Sequence, residues 1–198
     1  MLVAVLIGGC DPTKTITPEV PANAGDARTA LTSLKVADWH AMTGYSRERF
    51  PHWRSVGAGC DVRDAVLARD GTGVTKIGCN VTAGTWTSVY DGQTLTALDK
   101  VDIDHMVPLA NAWRSGADKW TDDKRADFAN DLDRPQLRAV SATSNRSKGD
   151  QDPSQWKPPN AFFWCEYAKD WIMVKSYWQL SVTKNEKDAL TAMLGTCS

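Results

Sequence analysis

The sequence predicts an α+β fold, in which a small sheet and a short hairpin lie among several helices. Apolar residues make up 42% of the 198 residues, which is enough for one compact domain with its own core. Short runs of β-branched residues occupy the middle of the chain, whereas apolar residues at helical spacing dominate both ends. Together these patterns favour helices that surround a small amount of sheet.

The first part of the domain is predicted to contain two helices and a hairpin. Asp26 precedes a run with helical apolar spacing and is a good cap for a helix, and residues 61–67 can form a second, short helix. The hairpin comprises 76–81 and 85–90, with its interruption at Ala83-Gly84.

The central part is predicted to contain a strand at 100–107, helices at 109–115 and 122–132, and a strand at 137–142. Pro108 ends the first strand because it lacks a backbone N–H. Thr121 is positioned to cap the second helix, and another short helix begins at Ser144 or Asn145.

The C-terminal part is predicted to be helical. An aromatic-rich helix covers about 161–179. A last helix begins with Asn185 as its cap and runs to Leu194, where Gly195 ends it.

The first 25 residues are expected to be a leader and a tether, and the folded domain to comprise 26–198. MLVAVLIGGC is apolar and ends in small residues before a cysteine, as a lipoprotein signal does, so Cys10 is a candidate for lipidation. The alternative is a truncated secretory leader, since no Lys or Arg precedes the run. Both interpretations predict export, to the medium or to the cell envelope.

The other four cysteines are expected to form two disulfides, because an exported chain with an even number of cysteines commonly pairs them. Sequence order favours Cys60–Cys79 and Cys165–Cys197. Each crosslink would stabilise the fold by about 3 kcal/mol in the chain-entropy estimate. A zinc site is the weaker alternative, because no two cysteines have CxxC spacing.

Two segments carry the chemistry: DIDHMVPLANAW at 102–113 and SATSNRSKGD at 141–150. The first places a carboxylate next to His105, and a neutral imidazole can take a proton from water near neutral pH. The second places an amide near a helix start, with two basic residues close by. Carboxylate and amide oxygens suit Mg²⁺ or Mn²⁺, and basic side chains suit phosphate.

These segments resemble the HNH, or His–metal finger, nucleases with a ββα-metal core, and the longer pattern resembles secreted actinobacterial nucleases of the DUF1524 type. The likeness runs through YSRERF, CDVRDAVL, W-x-S-x-YDG, DIDHMVPLANAWRSGA, FANDL, SNRSKGDQDPSQWKPP and CEYAKDW. It implies a ββα-metal core among helices. It also implies hydrolysis of phosphodiesters in DNA, or RNA, with one divalent metal ion.

The resemblance also implies roles for individual residues. His105 matches the general base, Asp104 a metal ligand, and Asn145 a catalytic residue that supplies or places the second metal ligand. Arg146 and Lys148 match residues that contact phosphate. The third position is Asn rather than the second His of many HNH enzymes, which favours Mg²⁺ or Mn²⁺ over a softer metal.

Strand geometry leaves the metal ligand open. Neighbouring residues on a regular strand point to opposite faces, so Asp104 and His105 can share one site only if the strand bends or bulges. Otherwise Asp102 takes the metal role. Arg63 is a further candidate for substrate contact.

Arg47 and Arg49 could line a substrate groove or could simply lie on the surface.

The net charge of −1 argues against a tight non-enzymatic nucleic-acid binder, but it is compatible with an enzyme that has a local basic groove. The sequence has no separate recognition module, so low sequence specificity is expected, and no obligate protein partner is evident. The alternative is an inactive nucleic-acid-binding or envelope-associated protein with the same fold.

Overall fold

The computed structural model describes residues 24–197, and in this range it has seven α-helices and three small sheets. The helices are α1 (Ala24–Ser33), α2 (Val62–Asp70), α3 (Leu109–Arg114), α4 (Asp122–Ala129), α5 (Ala142–Lys148), α6 (Trp164–Tyr177) and α7 (Lys184–Leu194). The strands are β1 (Ser55–Gly57), β2 (Cys60–Asp61), β3 (Thr72–Ile77), β4 (Asn80–Thr87), β5 (Thr94–Leu95), β6 (Val101–His105) and β7 (Leu137–Ser141). They pair antiparallel as β1–β2, β3–β4–β5 and β6–β7. The predicted α+β class is confirmed.

The hairpin of β3 and β4 turns earlier than predicted. Its turn contains Gly78, whose φ of 62° lies in the left-handed region that glycine adopts without steric cost. Ala83 and Gly84, where the interruption was expected, lie inside β4. Gly84 is needed there for packing, because an added Cβ would lie 2.7 Å from the ring of Trp86.

Two of the helices in the central part begin with a side-chain cap. The Thr121 hydroxyl accepts a hydrogen bond from the backbone N–H of Lys124, as predicted. The Ser141 hydroxyl caps α5 in the same way by accepting from the N–H of Ser144, so this helix begins before the predicted Ser144 or Asn145.

The ends of the domain show smaller differences. Asp26 lies in the first turn of α1 rather than at its cap. Thr183, not Asn185, caps α7, and it does so in a capping box with Glu186. Thr183 has a Glu three residues later, and the Glu186 side chain accepts from the N–H of Thr183 while the Thr183 hydroxyl accepts from the N–H of Glu186.

The ribbon of β6 and β7 is the framework for the candidate site. It pairs without a break from Val101 opposite Ser141 to His105 opposite Leu137, so β6 contains no bulge. Alternate residues of β6, among them Ile103, pack with α2 in the smaller of two apolar clusters. The face that carries Asp102 and Asp104 is covered by α5.

The larger apolar cluster joins α1, α3, α6 and α7. Trp171 and Tyr167 of α6 are fully buried in it. Both predicted disulfides are present: Cys60–Cys79 links the β1–β2 and β3–β4 hairpins, and Cys165–Cys197 links α6 to the segment after α7.

None of the helices between residues 24 and 197 has the length and apolar character needed to cross a bilayer. The predicted leader, most of the tether and the lipidation candidate Cys10 lie outside the described residues.

Candidate active site

A cavity of about 140 Å³ lies at the end of β6, where the ribbon meets α3, α5 and the loop that precedes β1. Asp104, His105 and Asn145 line it together. It therefore brings together the three residues to which the sequence assigned the main chemical roles. Asp104 and His105 both reach it without a bulge because the cavity lies at the strand end, where side chains of both faces border the same space.

His105 is 5% exposed and has a defined tautomer. Its Nε2 lies 3.0 Å from the backbone carbonyl oxygen of Ala129. A carbonyl only accepts hydrogen bonds, so Nε2 carries the hydrogen and Nδ1 keeps its lone pair. Burial lowers the pKa of His105 to about 3, although the Ala129 carbonyl opposes this shift and the charge of Arg47 adds to it. The imidazole is therefore unprotonated near pH 7, which leaves the Nδ1 lone pair able to accept a proton.

The ring of His105 is held from the side by a neighbouring loop. Trp53 stacks on it with 5.9 Å between ring centroids, and His52 meets it edge-on at 6.0 Å. The Nδ1 of His52 is bound to the carbonyl oxygen of Phe50 at 2.9 Å. His52 and Trp53 thus fix the orientation of the His105 imidazole.

Asp104 is 5% exposed and binds two interior groups. The Nζ of Lys148 lies 2.9 Å from Oδ1 and 2.7 Å from Oδ2, and the Tyr90 hydroxyl donates to Oδ2 at 2.5 Å. Burial and the nearby Asp104 raise the pKa of Tyr90, so its phenol remains a donor. A carboxylate offers about four acceptor positions, and these contacts leave one on Oδ1.

Asp102 lies beside the cavity rather than on its lining. Its Oδ2 accepts a hydrogen bond from the Nδ2 of Asn145 at 3.2 Å, and the Nε of the exposed Arg146 is 3.7 Å away. Because a carboxylate can pair only with the NH₂ group, this bond fixes the orientation of the Asn145 amide. The amide oxygen is then left for another partner. The two candidate aspartates therefore have different positions: Asp104 lines the cavity, and Asp102 orients Asn145.

Lys148 and Arg63 do not have the positions expected of phosphate-binding residues. Lys148 is fully buried, and its ammonium group binds Asp104 and the carbonyl oxygen of His105. Its position is internal because α5 packs directly on β6. Arg63 points to the carbonyl oxygen of Val101, 3.5 Å away, and is not part of the cavity lining.

The structure adds site residues that sequence reasoning missed. Tyr90 binds Asp104, and Asp91 accepts hydrogen bonds from the hydroxyls of Ser141 and Ser144, which fastens the start of α5. Asp150 lines the cavity. The signal was present in the sequence, since YDG and SKGD belong to the segments that carry the resemblance.

A hard divalent cation fits the oxygen donors at the cavity. Within residues 24–197 there is no group of three or more His, Cys, Asp and Glu side chains that could hold a metal. Mg²⁺, however, commonly uses one or two carboxylates and completes its shell with water and phosphate oxygens. The free position on Asp104 and the amide oxygen of Asn145 match such a partial set.

A cavity that combines a neutral imidazole, a carboxylate and an oriented amide is the kind of site that hydrolytic enzymes use. Residues 63–193 match the family of GmrSD restriction endonucleases, C-terminal domain. The chain belongs to this family, which is nuclease-related.

A relative from Arthroderma benhamiae, described as an uncharacterized secreted protein, is 52% identical over 181 residues. The similarity covers 91% of this chain and 88% of that protein. The relative is fungal, whereas the sequence resemblance pointed to actinobacterial nucleases. No solved structure matches the chain.

Proposed function

We propose that the protein is a metal-dependent nuclease that hydrolyses phosphodiester bonds in DNA, with low sequence specificity. The observation that carries this proposal is the meeting of His105, Asp104 and Asn145 at one small cavity. Membership of a nuclease-related family supports the same reaction class.

His105 takes the proton from the attacking water at Nδ1. The Ala129 carbonyl holds the Nε2–H, so the lone pair of Nδ1 is the one available for a proton. The low pKa means that this nitrogen is unprotonated before each turnover. General-base catalysis of this kind contributes about 10²- to 10⁴-fold to a rate.

Asp104 and Asn145 would hold a divalent cation, Mg²⁺ or Mn²⁺, through their carboxylate and amide oxygens. When bound, the cation would stabilise negative charge on the phosphate and on the departing oxygen. Tyr90 and Lys148 keep the Asp104 carboxylate in place, and Asp102 keeps the Asn145 amide in place. Arg146, whose side chain is 75% exposed, is free to contact the substrate backbone.

Export is part of the proposal. Two disulfides are typical of proteins in an oxidising compartment, and the relative from Arthroderma benhamiae is described as a secreted protein. A secreted nuclease of low specificity would degrade nucleic acid outside the cell.

Plasmid digestion tests the reaction. Wild type, His105→Ala and a matched control, His40→Ala, are incubated with Mg²⁺, Mn²⁺, Zn²⁺ or EDTA. His40 is a suitable control because it pairs with Asp118 and does not line the cavity. We expect cleavage by wild type with Mg²⁺ or Mn²⁺, none in EDTA, a loss of about 10²- to 10⁴-fold in His105→Ala and little change in His40→Ala. Equal cleavage by His105→Ala and wild type would disprove the catalytic role, and absence of cleavage by wild type would favour an inactive binding protein.

A further inference from the structure

We propose that Arg47 is the residue that binds the phosphodiester group undergoing cleavage. This inference rests on the proposed function and adds a substrate contact inside the cavity, whereas Arg146 lies outside its lining. Arg47 lines the same cavity as His105, Asp104 and Asn145. It lies outside residues 63–193, so the family match does not include it.

The other basic residues near the cavity already have partners. Lys148 is buried against Asp104, Arg138 binds Asp170, and Arg63 points to a backbone carbonyl. Arg146 lies outside the cavity lining and next to Asp102.

The guanidinium group of Arg47, by contrast, makes no hydrogen bond or salt bridge within the described part of the chain. The carboxylate of Asp150 also lines the cavity, but it forms no salt bridge with Arg47. An exposed guanidinium that the protein leaves unpaired can form two parallel hydrogen bonds to phosphate oxygens.

The backbone that carries Arg47 is firmly held. Arg47 begins a one-turn 3₁₀ helix, and its carbonyl accepts a hydrogen bond from the N–H of Phe50, which is fully buried. The carbonyl of Arg49 accepts a hydrogen bond from the buried Arg125. Tyr45, on the other side, packs against Trp113 with 5.8 Å between rings. An anchored backbone with an exposed side chain reduces the entropy lost when a ligand is bound.

Arg47 and His105 border the same cavity of about 140 Å³. A phosphodiester bound by Arg47 would therefore lie close to the imidazole that activates water. In this arrangement the guanidinium holds the anionic oxygens, while Asp104 and Asn145 face the same group from the ribbon and α5.

Arg49 offers a matched control two residues away. It has the same charge and similar exposure, but its guanidinium lies over the Trp113 ring at 5.1 Å and 3.5 Å from Asp122. It does not line the cavity. Replacement of either arginine by alanine removes the same net charge, so a difference between the two variants reports a direct contact rather than the general field.

The first measurement is binding. A fluorescein-labelled 20-base-pair DNA duplex is titrated in EDTA, at several salt concentrations, with His105→Ala protein that carries Arg47→Ala, Arg47→Lys, Arg49→Ala or no further change. We expect Arg47→Ala to weaken binding and to reduce the slope of log K against log salt by about 0.9, as one lost phosphate contact does. Arg47→Lys should keep the slope, and Arg49→Ala should leave slope and affinity nearly unchanged.

The second measurement is cleavage with Mg²⁺ by the same single variants in the wild-type background. Arg47→Ala should lower kcat/KM by about ten- to a hundredfold, the loss expected for one charge-assisted hydrogen-bonding group. The inference is overturned if Arg47→Ala and Arg49→Ala have equal slopes and equal kcat/KM while wild type cleaves DNA, and the proposed function then stands. If wild type binds DNA but does not cleave it, the proposed function fails. The slopes of log K against log salt then still decide whether Arg47 contacts a DNA phosphate. If wild type neither binds nor cleaves, both are wrong.

Discussion

Two buried lysines lie at nearly equal distances from the ring of Trp171, yet they belong to different parts of the molecule. The Nζ of Lys148 is 5.9 Å from the ring centroid and that of Lys175 is 5.8 Å away. Both side chains are fully buried, and each pairs with one acid: Lys148 with Asp104 and Lys175 with Glu186, at 2.7 Å in both cases. Burial lowers the pKa of both lysines.

The surroundings of the two ion pairs differ, and they show that one pair borders the candidate site whereas the other is a structural contact. Glu186 is fully buried, binds the indole N–H of Trp171 and completes the capping box of α7, so the Lys175 pair fastens α6 to α7. Asp104 instead borders a cavity that His105 shares. A buried ion pair is therefore no sign of function by itself, and its meaning depends on the open space and the neighbouring groups.

The largest effect is expected from breaking either pair. Lys148→Met and Lys175→Met should each lower the free energy of unfolding by about 3–5 kcal/mol, because each leaves a buried carboxylate without its cation. Urea unfolding measures this. Only Lys148→Met should also lower DNA cleavage per folded molecule. The double variant Lys175→Met/Glu186→Leu should recover only part of the lost stability. It leaves no buried charge unpaired, but it removes the acceptor of the Trp171 indole N–H and the capping box of α7. A loss below about 1 kcal/mol in Lys175→Met would contradict the structural role.

The second-largest effect is expected from replacing the acid of each ion pair, Asp104 or Glu186. Asp104→Asn should reduce the cleavage rate by about a hundredfold or more, because it removes the anionic oxygen proposed to hold the metal. Glu186→Gln should change the rate of the folded enzyme by less than about twofold, although it lowers stability. Steady-state cleavage at saturating Mg²⁺, below the melting temperature of both variants, gives the comparison. Equal rate losses in Asp104→Asn and Glu186→Gln would contradict a catalytic role that is specific to Asp104, the acid that lines the cavity.

A smaller effect is expected from the hydroxyl that holds Asp104. Tyr90→Phe removes a hydrogen bond to a carboxylate, which contributes about 1.5–3 kcal/mol. We expect a weaker apparent affinity for Mg²⁺ in cleavage assays together with this loss of stability. Tyr177→Phe is the control, since the Tyr177 hydroxyl makes no hydrogen bond in residues 24–197 and its ring contacts Arg134 and Trp178, away from the cavity. An unchanged Mg²⁺ dependence in Tyr90→Phe would limit Tyr90 to a role in folding.

The smallest effect is a dependence of stability on pH that comes from His105. The pKa of His105 is about 3 in the folded protein and near 6.5 when the chain is unfolded. Between these values the unfolded state binds the extra proton, so the free energy of unfolding falls as the pH is lowered below about 6.5, by at most about 1.4 kcal/mol per pH unit.

Urea unfolding in EDTA at pH 7 and pH 5 measures this dependence for wild type and His105→Gln. The difference in the free energy of unfolding between wild type and His105→Gln should shrink towards pH 5, because the variant has no imidazole to titrate at this position. A constant difference would show that the imidazole is not shielded from protonation.

Local patterns identified much of the site. Asp104, His105 and Pro108 form one short segment and Asn145 another. Residue types and the family resemblance predicted roles for Asp104, His105 and Asn145, and all four residues border one cavity. The two disulfides and the cap of α4 were also predicted correctly. By contrast, the exact starts of α5 and α7 depended on which of several neighbouring polar residues formed the cap.

Contacts between distant positions could not be predicted in the same way. Lys148 carries the charge expected of a phosphate contact, but its partner lies 44 positions away, and only the packing of α5 on β6 turns that charge inward. The hydrogen bond from Tyr90 to Asp104 likewise joins two separate segments of the chain that only the folded structure brings together. Asp102 and Asp104 lie on the same face of β6, and the distinction between them likewise depends on which end of the strand borders the cavity.

The sequence by itself determined the α+β class, the crosslinks and the identity of the imidazole, carboxylate and amide, because these follow from local spacing and side-chain chemistry. Only the tertiary structure decided which charged side chains pair with other groups of the protein and which remain available to bind a ligand. Arg47 and Arg49 have the same side chain and nearly the same position in the chain. One faces the cavity without a partner and the other lies on Trp113, because the 3₁₀ turn points them to different neighbours.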